Sequence, residues 1–300
     1  MKKKTYLFAL MAMALTLGSC SDNENGIGGE TSKYITVSTS IGNMTRVATD
    51  EKGGQTFEEG DEISVYAWTG DATIAPDASE RVVNNAINKL TNGSWVSTPQ
   101  MLWKNNRDKH YFIGVYPTAA ISDLSAGEYT FDANKQTESD LLVAVNPDGL
   151  SYSADAQQIV PLTFTHVMAK LAVNLTYKNQ WGGIPTVEKV VVGNAAKEAT
   201  INYLTKVVTP STTAKEDFSL PEITENTKYV SVIIPQEDVK QLTIVIGGKN
   251  FVYDNGTPFK LESGKITTVN LEVGRDEIKL GDVKITNWED GSTFSGEALN

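Results

Sequence analysis

Cysteine and histidine are almost absent from this chain of 300 residues, which has one Cys and two His. A single cysteine excludes an internal disulfide and any cysteine-based zinc or iron–sulfur centre. His110 and His166 leave little material for a histidine metal site or a catalytic triad, so neither a metal nor another cofactor is expected. Positive charge is also scarce, with 26 Lys and Arg against 37 Asp and Glu, a formal net charge of −11. A nucleic-acid partner needs a basic footprint, and an acidic chain with no long Lys/Arg run does not supply one. Long apolar runs are lacking too: the stretch Tyr6–Leu17 is too short to span a bilayer comfortably. What remains, 40 % apolar and 21 % charged, is globular composition and excludes wholesale disorder. The length suits two domains of about 150 residues each.

The amino terminus has the layout of an export signal. Lys2, Lys3 and Lys4 form a basic start, the apolar stretch follows, and Leu17-Gly18-Ser19-Cys20 closes it. Leu-x-small-Cys resembles the lipobox of bacterial lipoproteins, whose cysteine is diacylated and becomes the first mature residue. The alternative is an ordinary secretory signal with a chance cysteine. On the lipobox reading residues 1–19 are a lipoprotein signal peptide and Cys20 is the lipidation site. Two or more acyl chains there make a stable anchor in the outer membrane. Residues 20–33 are polar and glycine-rich, the composition of a flexible tether. Its start, Ser21-Asp22-Asn23-Glu24, resembles the export signals that send Bacteroidetes lipoproteins to the cell surface. A calcium loop is excluded there, because the full ligand spacing and the terminal Glu are missing.

From Tyr34 onward the apolar period is 2, not 3.6. Ile35, Val37 and Ile41 alternate with Thr36, Ser38 and Ser40, and Ile63, Val65 and Ala67 with Ser64, Tyr66 and Trp68. Similar runs include Tyr111/Ile113/Val115, Leu171/Val173/Leu175, Leu242/Ile244/Ile246 and Val269/Leu271/Val273. Turn dipeptides such as Asn92-Gly93, Gly247-Gly248 and Asn255-Gly256 separate them. Only residues 79–90, SERVVNNAINKL, suggest a short helix. Half-buried antiparallel strands with few helices predict an all-β chain of β-sandwiches. The weakest-patterned stretch, 146–158, is where a boundary is expected, between an N-terminal domain 34–157 and a C-terminal domain 158–300.

Several segments in order resemble the fimbrillin family of Bacteroidetes, the subunits and accessory proteins of type V pili. They are FEEGDEISVYAW (57–68), HYFIGVYP (110–117), ESDLLVA (138–144), VPLTFTHVMAKLAVNL (160–175), IIPQ (233–236), LESGKITTVNLEV (261–273) and VKITNWEDG (283–291). The resemblance covers nearly the whole mature chain. It implies two tandem transthyretin-like antiparallel β-sandwich domains, a lipoprotein precursor and assembly with other pilus subunits by strand exchange. It does not imply an enzyme. In that family's pilins an Arg-specific protease cuts after the first strand and releases it with its lipid anchor.

Here the matching place is Met44-Thr45-Arg46-Val47, followed by a polar stretch with paired glycines. Arg46 is therefore expected in an exposed, protease-sensitive loop, with Arg46 and Val47 flanking the cut. The plainer alternative is a surface arginine with no special role. Loss of strand 34–41 removes Ile35, Val37 and Ile41, each worth roughly 1.5–3 kcal/mol when fully buried. It leaves an apolar groove with unpaired backbone groups, which a strand from another subunit can fill. The candidate donor is the C-terminal segment: Ile278 and Leu280 hold one phase, Gly281-Asp282 shifts it, and Val283 and Ile285 follow. The tail beyond Gly291 offers only Phe294 and Ala298.

The chemistry-bearing residues have structural readings. Gly60-Asp61 suits a tight turn rather than a general acid, and Glu58, Glu59, Asp61 and Glu62 read as a solvated turn. His166 is expected to be partly buried in a strand, and His110 to open a strand and stand exposed. Trp68, Trp95, Trp103, Trp181 and Trp288 suit core or interface anchors. A sugar-stacking use of those five indoles leaves an alternative, a monomeric surface glycan-binding lipoprotein. A host or glycan receptor is compatible with either reading. A hydrolase lacks both a nucleophile–base pair and a metal cluster.

Overall fold

A computed structural model describes residues 33–42, 56–153 and 158–288. Cys20, Arg46, Val47, Phe294 and Ala298 lie outside these. In chain order the first strands are β1 (Thr36–Ile41), β2 (Glu62–Thr69), β3 (Val83–Thr91), β4 (Ser94–Thr98), β5 (Lys109–Tyr116), β6 (Gly127–Thr130) and β7 (Leu142–Ser151). Next come β8 (Ile159–His166), β9 (Ala169–Tyr177), β10 (Val187–Ala196), β11 (Glu198–Asn202), β12 (Val207–Pro210), β13 (Lys215–Ser219) and β14 (Glu222–Thr224). The last are β15 (Lys228–Ile233), β16 (Gln236–Ile246), β17 (Lys249–Leu261), β18 (Lys265–Val273) and β19 (Ile278–Asn287). Among the described residues the only helical element is a 3-10 turn at Asn179–Trp181. The chain is all-β, as its period-2 patterning predicts.

The short helix expected over 79–90 is instead the strand β3. Val65 and Ala67 of β2 face Ala86 and Val83, so an extra residue is accommodated at Asn84-Asn85, where Asn85 takes φ 56°. This bulge shifts the phase of the strand. Val83, Ala86 and Asn88 are buried, and the break in alternation imitates a helical spacing.

Seven strands form the first sheet in the order β1-β8-β7-β5-β2-β3-β4. Its centre departs from a half-buried pattern, because every residue from Ile63 to Trp68 is buried. Ile63, Val65 and Ala67 join Phe112, Leu142, Leu162 and Phe164 in one core. Tyr66 and Trp68 join Ile113, Val115 and Val143 in a second core on the opposite face. The segment after β5 covers this second face. There the Tyr66 hydroxyl accepts from the Ile121 amide at 2.9 Å, and the Ser64 hydroxyl accepts from the Ala119 amide at 3.0 Å. Arg81 is buried beside them and donates to the carbonyls of Ile121 (2.8 Å) and Ser122 (2.6 Å). The polar groups that this covering buries are thus paired.

The second core continues into the rest of the chain. A four-stranded sheet, β13-β10-β16-β17, supplies Val190, Val192, Leu242 and Ile244; a five-stranded sheet, β14-β15-β9-β18-β19, supplies Leu171, Val173, Val269 and Leu271. A small sheet, β12-β11-β6, pairs an early strand with two late ones. Residues 146–151, expected as part of a weakly patterned link, belong to β7. Their polarity reflects an irregular register, in which His110 and Phe112 face Leu150 and Asn146. The strands on either side of 154–157, β7 and β8, are neighbours, with Leu142 opposite His166 and Ala144 opposite Phe164.

Candidate strand-exchange groove

The first strand closes the seven-stranded sheet. Val37 and Ile41, with Ile35 just before the strand, point inward and are buried, whereas Ser38 and Ser40 are exposed. On one edge β1 runs parallel to β8, with Val37 opposite Val160, Thr39 opposite Leu162 and Ile41 opposite Phe164. The sheet is otherwise antiparallel. On the other edge the chain is tied to the segment after β4. The Ile35 amide donates to the Met101 carbonyl at 3.0 Å, and the Trp103 amide donates to the Lys33 carbonyl at 3.2 Å. A bridge joins Tyr34 to Leu102. Beyond Tyr34, Trp95 of β4 reaches across the seam and donates its indole N–H to the Thr39 hydroxyl at 3.0 Å.

Apolar and acidic walls flank this strand. A cavity of about 600 Å³ follows β1 and is bounded by Phe57, Leu90, Trp95 and Ile159. A second, of about 680 Å³, opens at the Ile41 end among Phe57, Glu58, Asp61, Asp140 and Lys170. Phe57 stands edge-on to Trp95 and Tyr116 at 5.3 Å and to Phe164 at 5.1 Å, which ties the two cavities together. The four clustered carboxylates do not converge on one point. Asp61 accepts from the Glu58 amide at 2.7 Å in the turn, Glu59 accepts from the Asn92 amide at 2.7 Å, and Glu62 pairs with Lys89 at 2.9 Å.

The candidate donor residues lie on β19, an edge strand of the five-stranded sheet. Leu280, Val283 and Ile285 are exposed and Ile278 is half-buried. Val269 and Leu271 of β18 face Val283 and Leu280, which places a bulge at Gly281-Asp282, where the sequence shifts phase. The Asp282 carboxylate accepts from the Asn270 amide nitrogen at 2.6 Å. Just beyond the strand, Trp288 is buried, stacked on the His166 ring at 3.9 Å with Lys170 Nζ 4.0 Å from its centroid. His166 in turn meets Asp140 at 2.7 Å. The C-terminal strand is thereby pinned to β8, the strand that carries β1.

His110 is fully buried, contrary to the exposed position expected at a strand opening. Its Nε2 accepts from the Lys104 amide at 3.0 Å, its Nδ1 faces the Asp108 carbonyl at 3.1 Å, and Trp103 packs edge-on at 4.9 Å. This closes the loop that holds the start of β1, and no local sequence signal announces it. Burial pushes the imidazole pKa below its ordinary value, outweighing the upward pull of Asp108 and adding to the downward push of Lys104. Because the unfolded chain takes up the proton first, stability falls as pH drops below about 6.5 and continues to fall until the folded imidazole is protonated. A His110→Gln chain, which keeps an acceptor for the Lys104 amide, is expected to lose less urea resistance than the parent between pH 7.5 and 5.5. An equal loss in both would remove His110 from this role.

The indoles are dispersed. Trp68, Trp103 and Trp288 are buried. Trp95 serves the groove, and half-buried Trp181 donates to the Val273 carbonyl at 3.0 Å. Among the described residues no three His, Cys, Asp or Glu side chains gather as metal ligands. The groove walls Phe57 and Trp95 were not distinguishable in the sequence from ordinary core aromatics, since Trp95 meets Thr39 only across 56 positions.

Comparison with known proteins bears on the same architecture. A family model described as fimbrillin-like matches residues 45–288. The chain is 24 % identical over 315 residues to a candidate fimbrium subunit, Fim1C, of Bacteroides uniformis, with 97 % of each covered. A solved structure of a candidate cell adhesion protein of Bacteroides ovatus matches with a TM-score of 0.62 at 18 % identity, covering 85 % of this chain and 98 % of that one. A fimbrial protein of Bacteroides vulgatus matches with a TM-score of 0.52 at 12 % identity, covering 84 % and 99 %. At these identities the structural likeness speaks for the fold.

Proposed function

This chain belongs to the fimbrillin-like family, and from that premise we propose that it is a surface-anchored fimbrial subunit or fimbria-associated adhesin whose first strand is removable. The observation that carries the proposal is the position of β1. It is the closing strand of a sheet, held at both edges and inserted into an apolar core, yet it is joined to the next strand only through the segment that contains Arg46. Cutting after Arg46 frees β1 with whatever precedes it, and the Ile35, Val37 and Ile41 sockets stay with the body. The vacated edge of β8 then pairs with a strand of another subunit, for which the exposed β19 is the candidate. Fimbrial assembly, not catalysis, is the function.

Limited trypsin is the direct test. Cleavage after Arg46 is expected to precede attack on the sandwiches, to leave a chain of residues 47–300, and to be followed by association once residues 34–46 have left. Arg46→Ala is expected to block both steps, and deletion of residues 278–300 only the second. Cut chains that have shed residues 34–46 and stay monomeric and folded at high concentration would defeat strand exchange.

Anchoring is tested separately. Cys20→Ala is expected to leave an unlipidated precursor that no longer fractionates with the outer membrane. Retention of that variant in the detergent-extracted membrane fraction would overturn the lipoprotein assignment.

A further inference from the structure

Position 39 is the anomaly in the groove. Ile35, Val37, Thr39 and Ile41 share the inward face of β1, and three of the four are apolar. The fourth is a hydroxyl, and it accepts the indole N–H of Trp95 at 3.0 Å. Trp95 is on β4, so it belongs to the wall and stays behind when β1 leaves. Its N–H is then a donor fixed in a half-buried, aromatic-lined slot beside Phe57. A strand with an apolar residue at that place leaves the donor unpaired, which costs more than a hydrogen bond in water gains. The groove thus asks for apolar-x-apolar-x-acceptor over five positions, running parallel to β8.

On the reading that another strand refills this groove, we infer that Trp95 determines which strand fits, and that β19 of a second copy enters with Asp282 opposite the Trp95 indole. Two frames within 278–289 carry two apolar residues followed by an acceptor. One is Ile278-x-Leu280-x-Asp282-x-Lys284 and the other is Val283-x-Ile285-x-Asn287-x-Glu289. The seventh position separates them, because it takes the place of Ile41. Among the described residues the cleft at that end is lined by three carboxylates, Glu58, Asp61 and Asp140, and by one lysine, Lys170, with His166 2.7 Å from Asp140. Glu289 there adds a fourth carboxylate, whereas Lys284 brings an opposite charge. The first frame is therefore the one that complements the groove. It puts Ile278 and Leu280 in the sockets of Ile35 and Val37, and turns Val283 and Ile285 to the outer face. Asp282 leaves the amide of Asn270 and gains the indole, so its carboxylate has a donor in both states.

The experiment uses the full chain cut after Arg46 by an Arg-specific protease, which spares Lys279 and Lys284 of the peptide, with synthetic peptides added before the cut so that the groove never stands empty. Displacement of residues 33–46 is followed by native mass spectrometry. A peptide of residues 276–288 is expected to replace the native strand. Its Asp282→Leu form is expected to bind about tenfold more weakly, and its Asp282→Asn form within about threefold, since the amide keeps an acceptor. Against a Trp95→Phe chain the three peptides are expected to bind alike. Equal binding of the parent and Asp282→Leu peptides to the unsubstituted chain would overturn the role of Trp95 without needing that variant to fold. A peptide of residues 33–42 separates the two levels. If it re-enters and the 276–288 peptide does not, the groove reading stands and the β19 assignment falls. If neither enters, both fall.

Discussion

A processed chain without residues 33–46 is expected to lose roughly 5–9 kcal/mol of folding stability when kept dilute enough to stay alone. Ile35, Val37 and Ile41 are 2 %, 7 % and 8 % exposed, so each contributes nearly its full burial, roughly 1.5–3 kcal/mol. The upper end is a ceiling, because the unfolded chain already hides part of that surface. The lost backbone pairing with β8 and with residues 101–103 adds to the deficit. Domains hold only about 5–15 kcal/mol in total, so the stripped monomer stands at the margin of folding. On the proposed strand exchange, that margin would drive assembly, because a borrowed strand would restore much of what was removed. The measurement is the urea midpoint of processed and intact chains at low concentration, repeated with saturating peptide 33–42. An unchanged midpoint in the stripped chain would mean that β1 only decorates the sheet.

Gly114→Val is expected to be the most damaging single substitution in the first sheet, by about 3 kcal/mol or more. Gly114 is in the middle of β5, between β2 and β7. A Cβ there meets Phe164 Cζ at 2.6 Å and Leu162 Cδ1 at 3.1 Å, which lie on β8 in the groove floor. Phe164 is fully buried and holds Phe57 edge-on, so its ring has nowhere to retreat. The effect should therefore appear twice, as a lower global urea midpoint and as faster amide exchange in β1. Phe164→Leu in the same chain is expected to recover part of the loss by making room. A Gly114→Val protein of unchanged stability would show that the close approach of the ring is not what keeps glycine there.

The two results have one structural origin, which locates the division between what is legible in order and what is legible only in space. Period-2 patterning was enough for the all-β class, because alternation reports directly on which face of a strand is dry. It also marked Ile35, Val37 and Ile41 as one buried face, and Gly281-Asp282 as a phase shift in the last strand, since both are local properties of the pleat. Local pattern failed where a strand breaks the rule that generates the pattern. The bulge at Asn84-Asn85 shifted the burial phase of β3 and made it read as a helix. The covering of both faces of β2 turned an expected alternation into an unbroken buried run. Nothing local says that β1 lies parallel to β8, that Trp95 spans 56 positions to meet Thr39, or that His110 folds inward to hold the loop beside Lys33. Those are consequences of the sheet curling until its two edges meet. Only the closed sheet sets the partners of β1, because a strand's own residues determine which face is buried but not which strand lies beside it.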